Sequence, residues 1–299
     1  MKCRCHIITI LAFTWFASQT PAFGDVEIVP VFVSIIPQKY FLEKIGGEFV
    51  DVSVMVQPGA SPTVYEPKPS QMVALSKARV YFAIGVPFES VWLERIMTAN
   101  PKLITIHTEK GIQKRAMREH HHGEEGITVL EKRHDHQIKD PHIWLSPPLV
   151  MVLARNILDA LCRIDPSHSE SYEMNYKQFI LELVDLDAEI RKIFAGHDRG
   201  VAFMVFHPAW GYFAEAYGLE QIPIEVEGKE PKPAELQRLI EYARQGGIKV
   251  IFVQPQFSAK SAKTIAKAIG GDVVYADPLA LDWAENLLKQ AATLKAALR

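Results

Sequence analysis

The stretch VAFMVFHPAWGYFAEAYGLEQIPIEV, Val201 to Val226, decides the fold. Val201–Phe206 is an apolar, β-rich run of strand length. Gly211–Tyr217 carries a helical pattern, and Ile222–Val226 is apolar again, so the stretch predicts a β-α-β unit. Working outward, Val250–Val253 and Val273–Tyr275 predict two further strands. Ala234–Gln245 and Ser258–Ile269 predict the helices between them. The first half repeats the plan. Ile28–Ser34, Val52–Val56, Val80–Ile84 and Leu103–Ile106 are strand-like, with helical patterns at Gln38–Ile45, Ser70–Lys77 and Phe88–Thr98. Strands alternating with helices pack as parallel α/β layers. Each half should therefore form one lobe.

Between the halves, Asp165-Pro166 reads as a helix cap followed by Pro at the first helical position. Tyr172, Tyr176, Phe179, Ile180, Leu183, Leu186, Ile190 and Phe194 then recur at three- and four-residue spacing, and Gly196 ends the run. The expected architecture is α/β: two lobes, each a mostly parallel four-stranded sheet flanked by helices, joined by a long backbone helix. The expected boundaries are 25–164, 165–196 and 197–299.

Residues 1–24 read as a signal peptide. Lys2 and Arg4 precede an apolar run, Ile7 to Phe16, and Ala22 and Gly24 mark a cleavage site before Asp25. No Cys follows that run, so no lipid anchor is expected. Cys3 and Cys5 would leave with the signal, and Cys162 lies on an apolar helical pattern, as a core residue does. An exported, periplasmic protein is expected, as a monomer. A net charge of -2 on 299 residues gives no electrostatic reason to expect nucleic acid or an anionic membrane surface.

The tetrapeptide EPKP occurs twice, within Tyr65–Ser70 and within Lys229–Ala234, each time ahead of a helical pattern. Pro69 and Pro233 stand where a missing N–H costs a helix nothing. Shared turn chemistry explains the repeat, and Glu230 reads as structural.

Ligands of open α/β sheets bind beyond the carboxyl ends of the strands. His207 directly follows a predicted strand, Asp277 follows Val273–Tyr275, and Glu66 lies in the loop after Val52–Val56. His142 lies in the loop DPHIWLSP ahead of a helix. Two imidazoles and two carboxylates on four loops can make a site for a divalent transition metal. Residues 109–140 are expected to form a mobile charged loop. Its His120, His121, His122, His134 and His136 are expected to act as an auxiliary metal-capturing segment that weakens in acid.

PGASPTVYEPKPSQM, DPHIWLSP, FHPAWGYFAEAYGL and ADPLALDWAENL, in that order, resemble the motifs of the metal-binding receptors of ABC transporters, the zinc/manganese solute-binding family called cluster A-I. The resemblance covers essentially the whole mature chain. It implies two lobes on a rigid backbone helix, one metal between them, and delivery of that metal to an inner-membrane ABC permease. By position it makes His142, His207 and Asp277 the second, third and fourth ligands. The first does not match: the family pattern has His after GASP, where this chain has Thr63. Glu66, a water or a histidine of the 109–140 loop would complete the site. The loop favours Zn²⁺ as the transported ligand, and Mn²⁺ or Fe²⁺ suits the same donors. A secreted metallohydrolase is the alternative from another class. It lacks an HExxH motif, and His134-Asp135-His136 lies far from any strand end. Surface adhesion, reported in this family, fits poorly without a lipid anchor.

Overall fold

The computed structural model describes residues 28–117, 122–123, 126–127, 139–196, 199–226 and 228–297. The expected signal peptide lies outside them. The first sheet holds β1 (Val29–Val33), β2 (Val50–Val54), β3 (Val80–Ala83) and β4 (Ile104–His107), all parallel in the order β2-β1-β3-β4. Its helices are α1 (Ile36–Gly46), α2 (Pro69–Leu75) and α3 (Pro87–Ala99). A short antiparallel pair, β5 (His122–Gly123) and β6 (Gly126–Ile127), precedes α4 (Pro147–Ile164) and α5 (Ser169–Ile193).

The second sheet comes next: β7 (Val201–Val205), α6 (Gly211–Tyr217), β8 (Leu219–Pro223), α7 (Pro233–Gln245), β9 (Val250–Val253), α8 (Lys260–Ile269) and β10 (Asp272–Tyr275), closed by α9 (Trp283–Ala297). Its strands are parallel in the order β10-β9-β7-β8. Taken from the other edge, that is the order of the first sheet. In each sheet the chain adds its second strand on one side of the first and its third on the other. The switch lies between β1 and β3, and between β7 and β9. Crevices open at the carboxyl ends of such strand pairs, where the candidate site residues lie.

Two expectations shift. The strand at Ile222–Val226 begins earlier, at Leu219. Gly218 takes a left-handed conformation (φ 71°) that ends α6 and turns the chain at once into β8. Ile224 and Glu225 lie beyond the strand, yet their N–H groups still donate to Val205 and Phe206 carbonyls. The helix after Asp165 begins with a 3-10 turn, Pro166–His168, before α5. Asp165 accepts there from Ser167 Oγ (2.5 Å), His168 Nδ1 (2.7 Å) and Tyr172 Oη (2.6 Å). That network holds the turn where a simple cap would stand.

Alternation along the second sheet separates two cores. Phe203, Val205, Val250 and Phe252 face one core, while Met204, Phe206, Ile251 and Val253 face the other beneath α7 and α8. The first of these is continuous with the core of the first lobe. Trp283, the first residue of α9, packs edge-on to Phe41 of α1, with ring centroids 5.0 Å apart, and beside Tyr40 at 5.9 Å. Trp283→Ala should cost about 3–5 kcal/mol. A helix reached only after the second sheet thus packs against the first lobe and ties the two together.

Candidate metal centre

His142 stands just before a 3-10 turn, Ile143–Leu145, that leads to α4. Its backbone N–H donates to Asp140 Oδ1 (3.0 Å), and the same oxygen lies 2.8 Å from the ring Nδ1. His207 stands at the carboxyl end of β7. Its Nδ1 lies 2.8 Å from Glu225 Oε1. Gln254, just after β9, clamps its peptide: His207 N–H donates to Gln254 Oε1 (3.2 Å), and Gln254 Nε2 donates to His207 O (2.6 Å).

The two imidazoles face each other across the lobes with ring centroids 5.2 Å apart and planes at 72°. A carboxylate accepts and cannot donate, so each Nδ1 carries the proton and each lone pair lies on Nε2. That tautomer leaves one metal-binding nitrogen per ring. His142 is buried, and burial pulls its pKa below the ordinary histidine value, partly opposed by Asp140. A neutral imidazole is the form that binds metal. His142 and His207 line a cavity of about 20 Å³, shared with Ser61, Pro62, Thr63 and Gln256. That is room for a water-sized sphere.

Asp277 follows β10. Its Oδ1 accepts from Gln256 Nε2 (3.1 Å) and from the Leu279 N–H (2.9 Å), and both of those residues line the cavity. Among the described residues no three of His, Cys, Asp and Glu stand together as a ready metal cluster. The two imidazoles are brought together; Asp277 is held one hydrogen bond away, on Gln256. Thr63 lines the cavity, whereas Glu66 is exposed and is not among the lining residues. His120, His121, His134 and His136 lie outside the described residues, and of His122 only the backbone is described.

Sequence reading missed the carboxylates behind the imidazoles. Asp140 stands two residues before His142, so DPH carried a signal. Glu225 stands 18 residues from His207 and reaches it only because β8 pairs with β7. Gln254 and Gln256 were missed as well. They flank Pro255 just after an apolar strand, where ligands of such sheets bind.

Two ties cross between the lobes beside the site. Trp144 Nε1 donates to Pro278 O (2.7 Å), and Trp283 Nε1 donates to Trp144 O (2.8 Å). Among the described residues no helix is long and apolar enough to cross a membrane.

Comparison with known proteins shows the family. Residues 31–297 match the family described as ZnuA, zinc-uptake complex component A, periplasmic. The chain is 31% identical over 245 residues to the high-affinity zinc uptake system protein ZnuA of Bacillus subtilis, covering 80% of this chain and 75% of that protein. It is 30% identical over 274 residues to the zinc-binding protein AdcA of Streptococcus pyogenes, covering 88% of this chain and 52% of AdcA, about half that relative's length. A crystal structure of ZnuA matches with a TM-score of 0.82 at 42% identity, over 91% of this chain and 100% of that one. A ZnuA deletion mutant with zinc bound matches with a TM-score of 0.81, also at 42% identity, over 90% and 98% of the two chains. A two-lobe α/β fold with opposed, carboxylate-backed histidines and a match along nearly the whole described chain lead to one conclusion: this chain belongs to the ZnuA family of periplasmic zinc-uptake components.

Proposed function

We propose that this chain is a periplasmic receptor that takes up a divalent transition metal, Zn²⁺ foremost, between its lobes and passes it to an inner-membrane ABC permease. The observation that carries the reading is the pair of opposed imidazoles, one per lobe, each with Nδ1 on a carboxylate. The relatives named for zinc uptake and zinc binding support the choice of metal.

In this reading His142 and His207 bind through Nε2. Asp277 joins them by exchanging its bond from Gln256 for the ion. The fourth position belongs to a water or, after movement of its loop, to Glu66. Two nitrogens and the oxygens of such a set hold Zn²⁺ tetrahedrally and also accept Mn²⁺ or Fe²⁺. The metal is cargo, so no turnover of ester, phosphate or peptide is expected. Residues 165–196 serve as the connector, and the exported protein begins at Asp25.

Isothermal titration of residues 25–299 with Zn²⁺ and Mn²⁺ tests the proposal. Binding at micromolar or tighter affinity, weakened by orders of magnitude in His142→Ala and His207→Ala, is expected. Failure to bind either ion at that level would sink it.

A further inference from the structure

We propose that Arg115 is a positioning residue for the metal site: it links the seating of His142 to the contact between the two lobes. The inference rests on the reading of His142 as a ligand. Arg115 follows β4, next to Lys114, whose Nζ donates to the Ile84 and Gly85 carbonyls of the first lobe (2.9 and 3.1 Å). From that anchored segment Arg115 reaches α6 of the second lobe. Its NH1 donates to Gly211 O (2.8 Å) and to Glu215 Oε2 (3.1 Å). Its backbone N–H donates to Tyr212 Oη (3.0 Å), and its guanidinium lies over the Tyr212 ring, 5.4 Å from the centroid.

The same side chain touches the carboxylate behind His142. Arg115 Nε lies 3.6 Å from Asp140 Oδ2, and Asp140 N–H donates to Arg115 O (2.9 Å). Tyr212 Oη donates to Asp140 O (3.0 Å). The two oxygens of Asp140 therefore divide their work: Oδ1 holds His142, and Oδ2 faces the guanidinium. Asp140 is 1% exposed, and a buried carboxylate without a cation is costly. The guanidinium charge, 3.6 Å from Oδ2, offsets that of the carboxylate, and its planar fork is held in place by Gly211 O and Glu215. The carboxylate in turn fixes the imidazole.

Gly211 carries independent weight. Its φ is not positive, so backbone conformation does not require glycine there. A Cβ at 211 would stand 2.7 Å from Arg115 NH2, 2.9 Å from its Cζ and 3.1 Å from Asp140 Oδ2. The second lobe thus approaches the Arg115–Asp140 pair so closely that a methyl group there would have to displace the guanidinium. His207 has no such link among the described residues: Glu225 Oε2 is buried there without a hydrogen-bond partner. In this arrangement, separating the lobes takes Gly211 and Glu215 away from the guanidinium, so Arg115 loses the contacts that hold it beside Asp140; His142 loosens and release of the metal is favoured.

The test uses the chain from Asp25. Zinc affinity and dissociation rate are measured for wild type, Arg115→Ala, Arg115→Lys, Gly211→Ala and His142→Ala, with the visible absorption of bound Co²⁺ and the melting temperature of the metal-free protein. Arg115→Ala should weaken zinc binding by about 10-fold and speed its loss. Arg115→Lys keeps the charge without the fork and should not restore affinity. Gly211→Ala, which touches no ligand, should weaken binding in the same direction and alter the Co²⁺ spectrum. Arg115→Lys and Gly211→Ala bear the test where Arg115→Ala folds poorly. Zinc affinity within twofold of wild type and an unchanged Co²⁺ spectrum in these variants would overturn the inference alone, provided His142→Ala loses binding. Retained binding in His142→Ala would overturn the ligand reading and the inference with it.

Discussion

The two histidines differ in what stands behind them. Both hold Nδ1 on a carboxylate at 2.8 Å. His207 draws its support from its own lobe: Glu225 after β8, Gln254 after β9, and the Phe257 ring stacked at 5.0 Å. His142 draws on both lobes, through Asp140, Arg115 and α6 on one side and the Trp144–Pro278 bond on the other. One ligand is built into a sheet edge, and the other is held by the contact between lobes. Such asymmetry suits a receptor that must both hold and release an ion, because a change in the contact between lobes acts on one ligand and leaves the other in place.

Removing either imidazole is the coarsest way to break the comparison. His142→Ala and His207→Ala should each weaken zinc binding by orders of magnitude, measured by titration, because each deletes one of two nitrogen donors. Their dissociation rates alone would not separate the two sides. The carboxylates would. Asp140→Asn and Glu225→Gln should each lower zinc affinity by about 10–100-fold. Asp140→Asn should have the larger effect, because it also strips Arg115 of its buried partner. Equal losses would argue that the link across the lobes adds nothing.

Acid provides a finer probe on the metal-free protein. Burial holds the pKa of His142 below the ordinary value, against the pull of Asp140 and Glu225 and with the help of His207. The unfolded chain therefore takes up its proton first as pH falls. The stability so contributed is complete above the unfolded value, near 6.5, and is lost as pH falls through the lower folded value. Urea midpoints measured from pH 7 downward should fall in wild type, and His142→Ala should lack that part of the fall. Asp140→Asn removes the opposing pull, so the fall should begin at the same pH but run deeper and extend to lower pH.

Much of this was legible in the sequence because it is local. Apolar, β-rich runs and the helical patterns between them located the strands of both four-stranded sheets and the helices that connect them, though not α9. His207 stood out because it comes directly after an apolar, β-rich run, at the end of a strand where ligands bind. The link from Arg115 to Gly211 joins residues 96 apart, and no local pattern records it. Arg115 sits in a charged stretch where its neighbours look equally solvated. Gly211 looks like an ordinary start of a helix. Glu225 falls where β8 has ended, because the Gly218 cap moved the strand forward, so alternation could not assign its side chain to a face. Contacts that depend on how the lobes meet appear only once they are packed.

The smallest expected effects belong to the two EPKP segments, whose backbones are nearly the same. Lys68 (φ -71°, ψ 152°) and Lys232 (φ -68°, ψ 160°) both precede a helix that begins with Pro. Each donates its N–H to the side chain three residues on, Gln71 at 2.9 Å and Glu235 at 2.7 Å. The shared tetrapeptide is therefore explained by how a helix starts. The glutamates differ in partners: Glu230 accepts a hydrogen bond from the buried Ser261 of α8, whereas Glu66, exposed like it, follows Thr63 of the cavity lining by three residues without lining the cavity itself. Glu230→Ala leaves the Ser261 hydroxyl unpaired and should cost about 1 kcal/mol in urea unfolding, with zinc affinity unchanged. Glu66→Ala should leave stability within about 0.5 kcal/mol of wild type. Its zinc affinity then separates the two candidates for the fourth position. A loss of affinity assigns that position to Glu66, and an unchanged affinity removes Glu66 and leaves a water or a histidine of the 109–140 loop, because with Thr63 in place of an imidazole neither needs a carboxylate at 66 to reach the ion.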